Sequence, residues 1–207
     1  MLKLFAALAL VVLTAAGAAA APVTVLALGD SLTAGLGVGP SEAFPARLEA
    51  ALKAKGHDVR VINAGVSGDT AADGAARLDW ALAEPVDAVI VELGANDALR
   101  GLPVAQAEQA LDRLLAALAA KKLPVLLAGM RAPPNMGAEY QTAFDGMYQR
   151  LADKHGVQLY PFFLDGVAAD PKLNQADGMH PNPAGVDVIV ARILPSVEQL
   201  LGKAGGN

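Results

Sequence analysis

Ser31, Asp177 and His180 are the residues of this chain whose types and surroundings fit nucleophilic chemistry. A serine hydroxyl is a poor nucleophile until a base takes its proton and hydrogen-bond donors steady the oxyanion that forms. The candidate bases are few, because the chain has three histidines and no cysteine. His57 follows Lys55-Gly56 and precedes an apolar run, at the end of a strand where ligands do not bind. His155 stands before Gly156 at a helix end, where the helix dipole accounts for it. His180 differs, with Asp177 three residues earlier and Pro181 directly after it. A carboxylate that close can accept the Nδ1 proton, fix the tautomer and stabilise the imidazolium. Plainer readings also exist: Asp30, Ser31 and Thr33 as turn and cap residues, and His180 as a solvated loop histidine before a capped helix.

The elements that must position these residues alternate between strand and helix. Short apolar runs occur at Val23–Leu28, Asp58–Ala64, Asp87–Leu93, Pro124–Gly129 and Val157–Phe163, and read as five strands. Between them, Val104, Ala107, Leu111, Leu114, Leu115 and Leu118 step by three and four, as do Tyr140, Phe144, Met147, Tyr148 and Leu151. A last helix is expected from Asn182 as N-cap and Pro183 as first helical residue, with Pro195 kinking or ending it. Continuous apolar strands alternating with helices predict a parallel sheet covered on both faces, a three-layer α/β/α sandwich. Ligands in such sheets bind beyond the carboxyl ends of the strands. Four segments therefore stand out: Gly29-Asp30-Ser31-Leu32, Gly65-Val66-Ser67-Gly68-Asp69-Thr70, Gly94-Ala95-Asn96-Asp97 and Asp177-Gly178-Met179-His180-Pro181.

These four blocks, in this order, resemble the GDSL or SGNH hydrolase superfamily over essentially the whole chain after its first twenty residues. Val91-Glu92-Leu93-Gly94 running into Asn96-Asp97, and Arg100-Gly101, are similar to its bacterial periplasmic thioesterase, lysophospholipase and arylesterase subgroup. The resemblance implies a flavodoxin-like fold with a five-stranded parallel sheet and no cofactor. It also implies a nucleophile at Ser31, a triad completed by Asp177 and His180, and oxyanion donors at Ser31, Gly68 and Asn96. The substrates it implies are carboxylic esters and thioesters, including aryl esters and lysophospholipids. Read without the family, Asn96 is equally a turn residue or an amide suited to an oxyanion, and Gly68 is an ordinary turn glycine. Loops Asp97–Pro103 and Arg131–Tyr140 are expected to frame an acyl groove.

Other chemistries fit less well. There is no Gly-x-Ser-x-Gly elbow, and Gly35-Leu36-Gly37-Val38-Gly39 runs into Pro40 instead of opening a helix, which disfavours nucleotide binding. A flavodoxin-like flavin or phosphate binder would share the topology, but aromatic residues are only 4% of the chain. A metal-dependent phosphoesterase built on Asp30, Asp97, Asp177 and His180 lacks the usual ligand spacing.

Lys3, the apolar run Leu4–Leu13 and the small residues Ala15–Ala21 have the layout of a secretory signal, with cleavage expected after Ala20. The run is too short for a membrane span, which needs about 20 residues. The expected organisation is a signal peptide over 1–20 and one domain over 21–207, located in the periplasm or outside the cell. With 207 residues, 54% hydrophobic and 18% charged, the chain can bury a core of its own. A net charge of −5 with no basic block argues against nucleic acid as a partner.

Overall fold

A computed structural model describes residues 21–204, so the expected signal peptide and its cleavage site lie outside the described residues. The fold is an α/β sandwich on a five-stranded parallel sheet, as the alternating pattern predicts. The strands are β1 (Val23–Gly29), β2 (Val59–Gly65), β3 (Ala88–Glu92), β4 (Val125–Ala128) and β5 (Gln158–Tyr160), in the order β2-β1-β3-β4-β5. Val25, Leu26, Ala27 and Leu28 of β1 and Ala88 to Val91 of β3 are all buried, because helices cover both faces of these central strands.

After β1 come the short helix α1 (Ser31–Ala34) and then α2 (Phe44–Ala54). Helices α3 (Ala71–Ala76) and α4 (Leu78–Ala81) link β2 to β3; α5 (Ala95–Leu99) and α6 (Val104–Ala120) link β3 to β4. Helix α7 (Ala138–His155) leads to β5, and α8 (Pro183–Ala204) closes the chain. Helices α2 and α8 pack together on one face of the sheet, while α3, α6 and α7 pack in succession on the other.

Two expectations change in detail. Helix α8 does not end at Pro195 but continues to Ala204. Ile193, Val197, Leu200 and Leu201 are buried on both sides of the proline, so their burial outweighs the one backbone hydrogen bond that proline cannot make. Strand β5 is three residues long, not seven, because Pro161 offers no N–H to the ladder. The chain then turns Phe163 into the core, edge-on to Phe44 at 4.9 Å. Asn182 does cap α8, its Oδ1 accepting from Gly185 N at 3.0 Å.

The order of strands reverses between β1 and β3, one connection leaving β1 toward β2 and the next crossing to β3. A crevice forms at such a switch point. Ser31 begins the helix after β1 and Asn96 lies in the helix after β3, so both flank it.

Candidate active site

Ser31 is the first residue of α1, and the Asp30 carboxylate caps that helix by accepting from Leu32 N at 3.0 Å. The cap reading of Asp30 is therefore correct, and it fixes the turn that presents Ser31. The turn is tight. A Cβ on Gly29 would lie 2.1 Å from Thr33 Oγ1 and 2.6 Å from Glu92 Oε2, so only glycine fits there. Thr33 donates to Glu92 Oε2 at 2.7 Å, tying α1 to the end of β3.

Ser31 Oγ lies 2.9 Å from His180 Nε2, and His180 Nδ1 lies 2.6 Å from Asp177 Oδ2. Asp177 Oδ1 also accepts from Met179 N and His180 N at 2.9 and 3.0 Å, so the carboxylate organises the loop as well as the imidazole. These backbone donors, then the His180 ring, hold Asp177 down to about 2. An anionic Asp177 accepts a hydrogen bond from Nδ1–H and so leaves Nε2 free to accept from the serine hydroxyl. The loop is braced from behind: Gln175 N donates to His180 O at 2.8 Å, and Gln175 Nε2 reaches Leu36 O at 2.7 Å.

Asn96 Nδ2 donates to Asp30 Oδ2 at 3.0 Å and to Asp69 O at 2.9 Å. The amide thus points toward the β1 end of the crevice, but both its protons have acceptors. Gly68 adopts φ +90, and its carbonyl accepts from Arg100 at 2.6 Å. The Ser31 and Gly68 amides have no acceptor among the described residues. Ser31, Asn96 and His180 line one cleft of about 550 Å³, whereas Gly68 lies outside its lining, on the β2 side.

That cleft opens over β3 to β5. Of the two loops expected to frame it, Arg131–Tyr140 contributes Arg131 to Pro134, while Asp97–Pro103 contributes Leu99 alone. Phe162, Leu164, Ala168 and Ala169 form a further wall that the sequence did not indicate.

Several supporting residues were also not legible. Arg77 pairs with Asp69 and donates to Gly29 O at 2.9 Å, linking the end of β1 to the loop after β2. Glu92 is wholly buried, and burial followed by the nearby Asp30 charge pushes its carboxyl well above the usual range. Burial likewise raises Asp30 to about 6. A lone carboxylate ending the apolar run Ala88–Val91 was a signal for Glu92; nothing in the sequence marked Arg77.

The GDSL-like lipase/acylhydrolase family matches residues 27–188. The chain belongs to this family. It is 42% identical over 201 residues to "Esterase TesA" of Pseudomonas aeruginosa, covering 97% of this chain and 98% of that one. It is 43% identical over 165 residues to "Thioesterase 1/protease 1/lysophospholipase L1" of Escherichia coli K12, covering 79% and 78%. Among solved structures, that of TesA superposes with a TM-score of 0.82 at 41% identity, covering 86% of this chain and 99% of that one. The SGNH-hydrolase esterase AlinE4 gives 0.75 at 47% identity, covering 89% and 99%. This GDSL-family chain is an ester-hydrolysing enzyme of the SGNH type. The phosphoesterase alternative finds no support in its geometry: Asp97 Oδ2 accepts from Ala71 N, Asp177 serves His180, and no group of three His, Asp or Glu side chains gathers as a metal site among the described residues.

Proposed function

We propose that the chain is a secreted serine esterase hydrolysing carboxylic esters and thioesters through an acyl-enzyme on Ser31. The observation that carries this reading is the continuous hydrogen-bonded line from Ser31 Oγ through His180 to Asp177. His180 Nε2 takes the hydroxyl proton as Ser31 Oγ bonds to the substrate carbonyl carbon, and Asp177 stabilises the imidazolium. The Ser31 and Gly68 amides and the Asn96 side chain receive the oxyanion, Asn96 giving up or sharing one of its present acceptors. His180 then protonates the leaving alcohol or thiol and activates the water that releases the acid.

The apolar walls of the cleft favour an acyl chain. The names of the relatives add thioesters, aryl esters and lysophospholipids as candidate substrates. Secretion rests on the Lys3-led signal over residues 1–20, with residues 21–207 as the hydrolase domain in the periplasm or beyond. Among the described residues no helix is long and apolar enough to cross a membrane.

The test is a panel of nitrophenyl esters, acyl thioesters and lysophospholipids, with fluorophosphonate labelling of the wild type and Ser31→Ala. Labelling at one site and its loss in Ser31→Ala is the expected result. Undiminished turnover by Ser31→Ala overturns the assignment. Expression in a Gram-negative host should give a periplasmic product starting within two residues of Ala21; full-length chain confined to the membrane overturns secretion.

A further inference from the structure

Arg131 lines the same cleft as Ser31 and His180, three residues beyond the end of β4. Its neighbours in that wall are apolar: Leu99, Met130, Pro133, Phe162 and Leu164. The other polar side chains at the cleft are already engaged. Asp30 and Asn96 bond each other, Asn174 donates to Val167 O and Asp170 O, and Ser31 meets His180. Arg131 alone has no hydrogen-bond or ion-pair partner among the described residues.

This sets it apart from the other arginines. Arg47, Arg60, Arg77, Arg150 and Arg192 each face a carboxylate, Arg100 holds Gly68 O, and Arg113 bonds Gln109. Asp145, on the neighbouring helix α7, spends its Oδ1 on Ala132 N at 2.8 Å. What Arg131 does have is a platform, its guanidinium carbon lying 4.7 Å from the centroid of the Phe162 ring. Stacking of this kind holds a guanidinium in place and leaves its planar N–H edge free. A guanidinium stacked on a ring, with no direct ion pair among the described residues and at the rim of an apolar cleft, is suited to fork-like binding of phosphate or carboxylate.

We propose that Arg131 is a specificity-determining residue that binds an anionic group, phosphate or carboxylate, carried by the substrate at a distance from its scissile carbonyl. The proposal rests on Ser31 as the nucleophile. Two strand spacings, from β1 across β3 to β4, put the end of β4, three residues before Arg131, roughly 10 Å from the end of β1, two residues before Ser31. A glycerol-sized linker together with the arginine side chain spans that gap, so a glycerophosphate leaving group fits, and so does a carboxylate at the far end of an acyl chain.

The experiment compares matched pairs on wild type, Arg131→Ala and Arg131→Lys. One pair is 1-decanoyl lysophosphatidic acid and 1-decanoylglycerol, which differ by the leaving-group phosphate. The second is the mono-nitrophenyl ester of sebacic acid and nitrophenyl decanoate, which differ by a carboxylate on the acyl side. In at least one pair, Arg131→Ala should lower kcat/KM for the anionic member by about 10- to 100-fold more than for the neutral member, chiefly through KM. Arg131→Lys should recover part of the loss, and added salt should shrink it. The pair that responds identifies which end carries the anion. Equal losses within both pairs, or no loss in either, overturn the proposal while hydrolysis of nitrophenyl decanoate by the wild type leaves the Ser31 reading standing. A wild type inactive on every ester brings down both.

Discussion

Replacing Asn96 by alanine separates two jobs that the structure gives to one amide. In the resting site Nδ2 donates to Asp30 Oδ2 and to Asp69 O, joining the turn that holds Ser31 to the loop that holds Gly68. In the proposed transition state the same amide donates to the oxyanion. Removing an oxyanion donor costs about 10² to 10³ in kcat, equivalent to about 3 to 4 kcal/mol, with little change in KM when acylation limits. Removing the resting bonds has a second effect, because Asp30 is fully buried and loses a donor to its carboxylate. A buried acceptor left without its partner costs about 1 to 3 kcal/mol, so Asn96→Ala should also melt earlier than the wild type. Ser31→Ala, which truncates only the hydroxyl facing His180, provides the comparison. Stopped-flow acylation with a nitrophenyl ester, fluorophosphonate labelling rates and urea unfolding measure the three quantities. Labelling of Asn96→Ala should persist but slow. Undiminished kcat with reduced stability would show that Asn96 is a structural tie only, and the oxyanion assignment would be wrong.

Two further outcomes are expected. Burial raises Asp30 from 3.8 to about 6, so the folded state holds its proton more tightly than the unfolded chain. Stability from this group is therefore present below pH 4 and lost as pH rises through 6, by on the order of 3 kcal/mol. Asp30→Asn should remove that decline, and a difference between mutant and wild-type unfolding free energies that stays constant from pH 4 to 7.5 would refute the reasoning. Arg77→Met strands the Asp69 carboxylate, only 12% exposed, and removes a donor from Gly29 O. Loss of one partner of such a pair should destabilise by about 3 kcal/mol, and adding Asp69→Asn should recover at least half; strict additivity in urea unfolding would show that the two do not act as a pair.

The strands and helices were legible because each obeys its own local period. Val25 to Leu28 and Val89 to Val91 are buried on both faces and are apolar without a break, so no tertiary knowledge is needed to find them. Strand ends were less so. Asp58 and Asp87 sit beside strands as caps, Asp58 O accepting from Val23 N and Asp87 Oδ2 from Thr24 N, which adjacent sequence cannot distinguish from membership. At the site, Asp177 and His180 are three residues apart and could be read as a pair. The residues that hold the blocks together act across the chain: Arg77 on Gly29 over 48 positions, Thr33 on Glu92 over 59, Gln175 on Leu36 over 139. No periodicity connects such partners, and they became visible only once the strand order was known.

The order β2-β1-β3-β4-β5 is also that of flavodoxin-like binding proteins, so topology by itself does not choose between a phosphate binder and a hydrolase. The choice lies in what occupies the turn after β1. A phosphate there would need the free N–H groups at the start of α1 and a positive surrounding field. Here Asp30 has already taken Leu32 N with one carboxylate oxygen and Asn96 Nδ2 with the other. The charge that a phosphate would bring is disfavoured by this carboxylate at the start of the same helix. The same arrangement suits a hydroxyl that must lose its proton to His180, because an anionic Asp30 attracts the positive charge that then develops on the ring. What distinguishes this turn from a phosphate loop is therefore an anion built into the protein where a binding protein would accept one from its ligand.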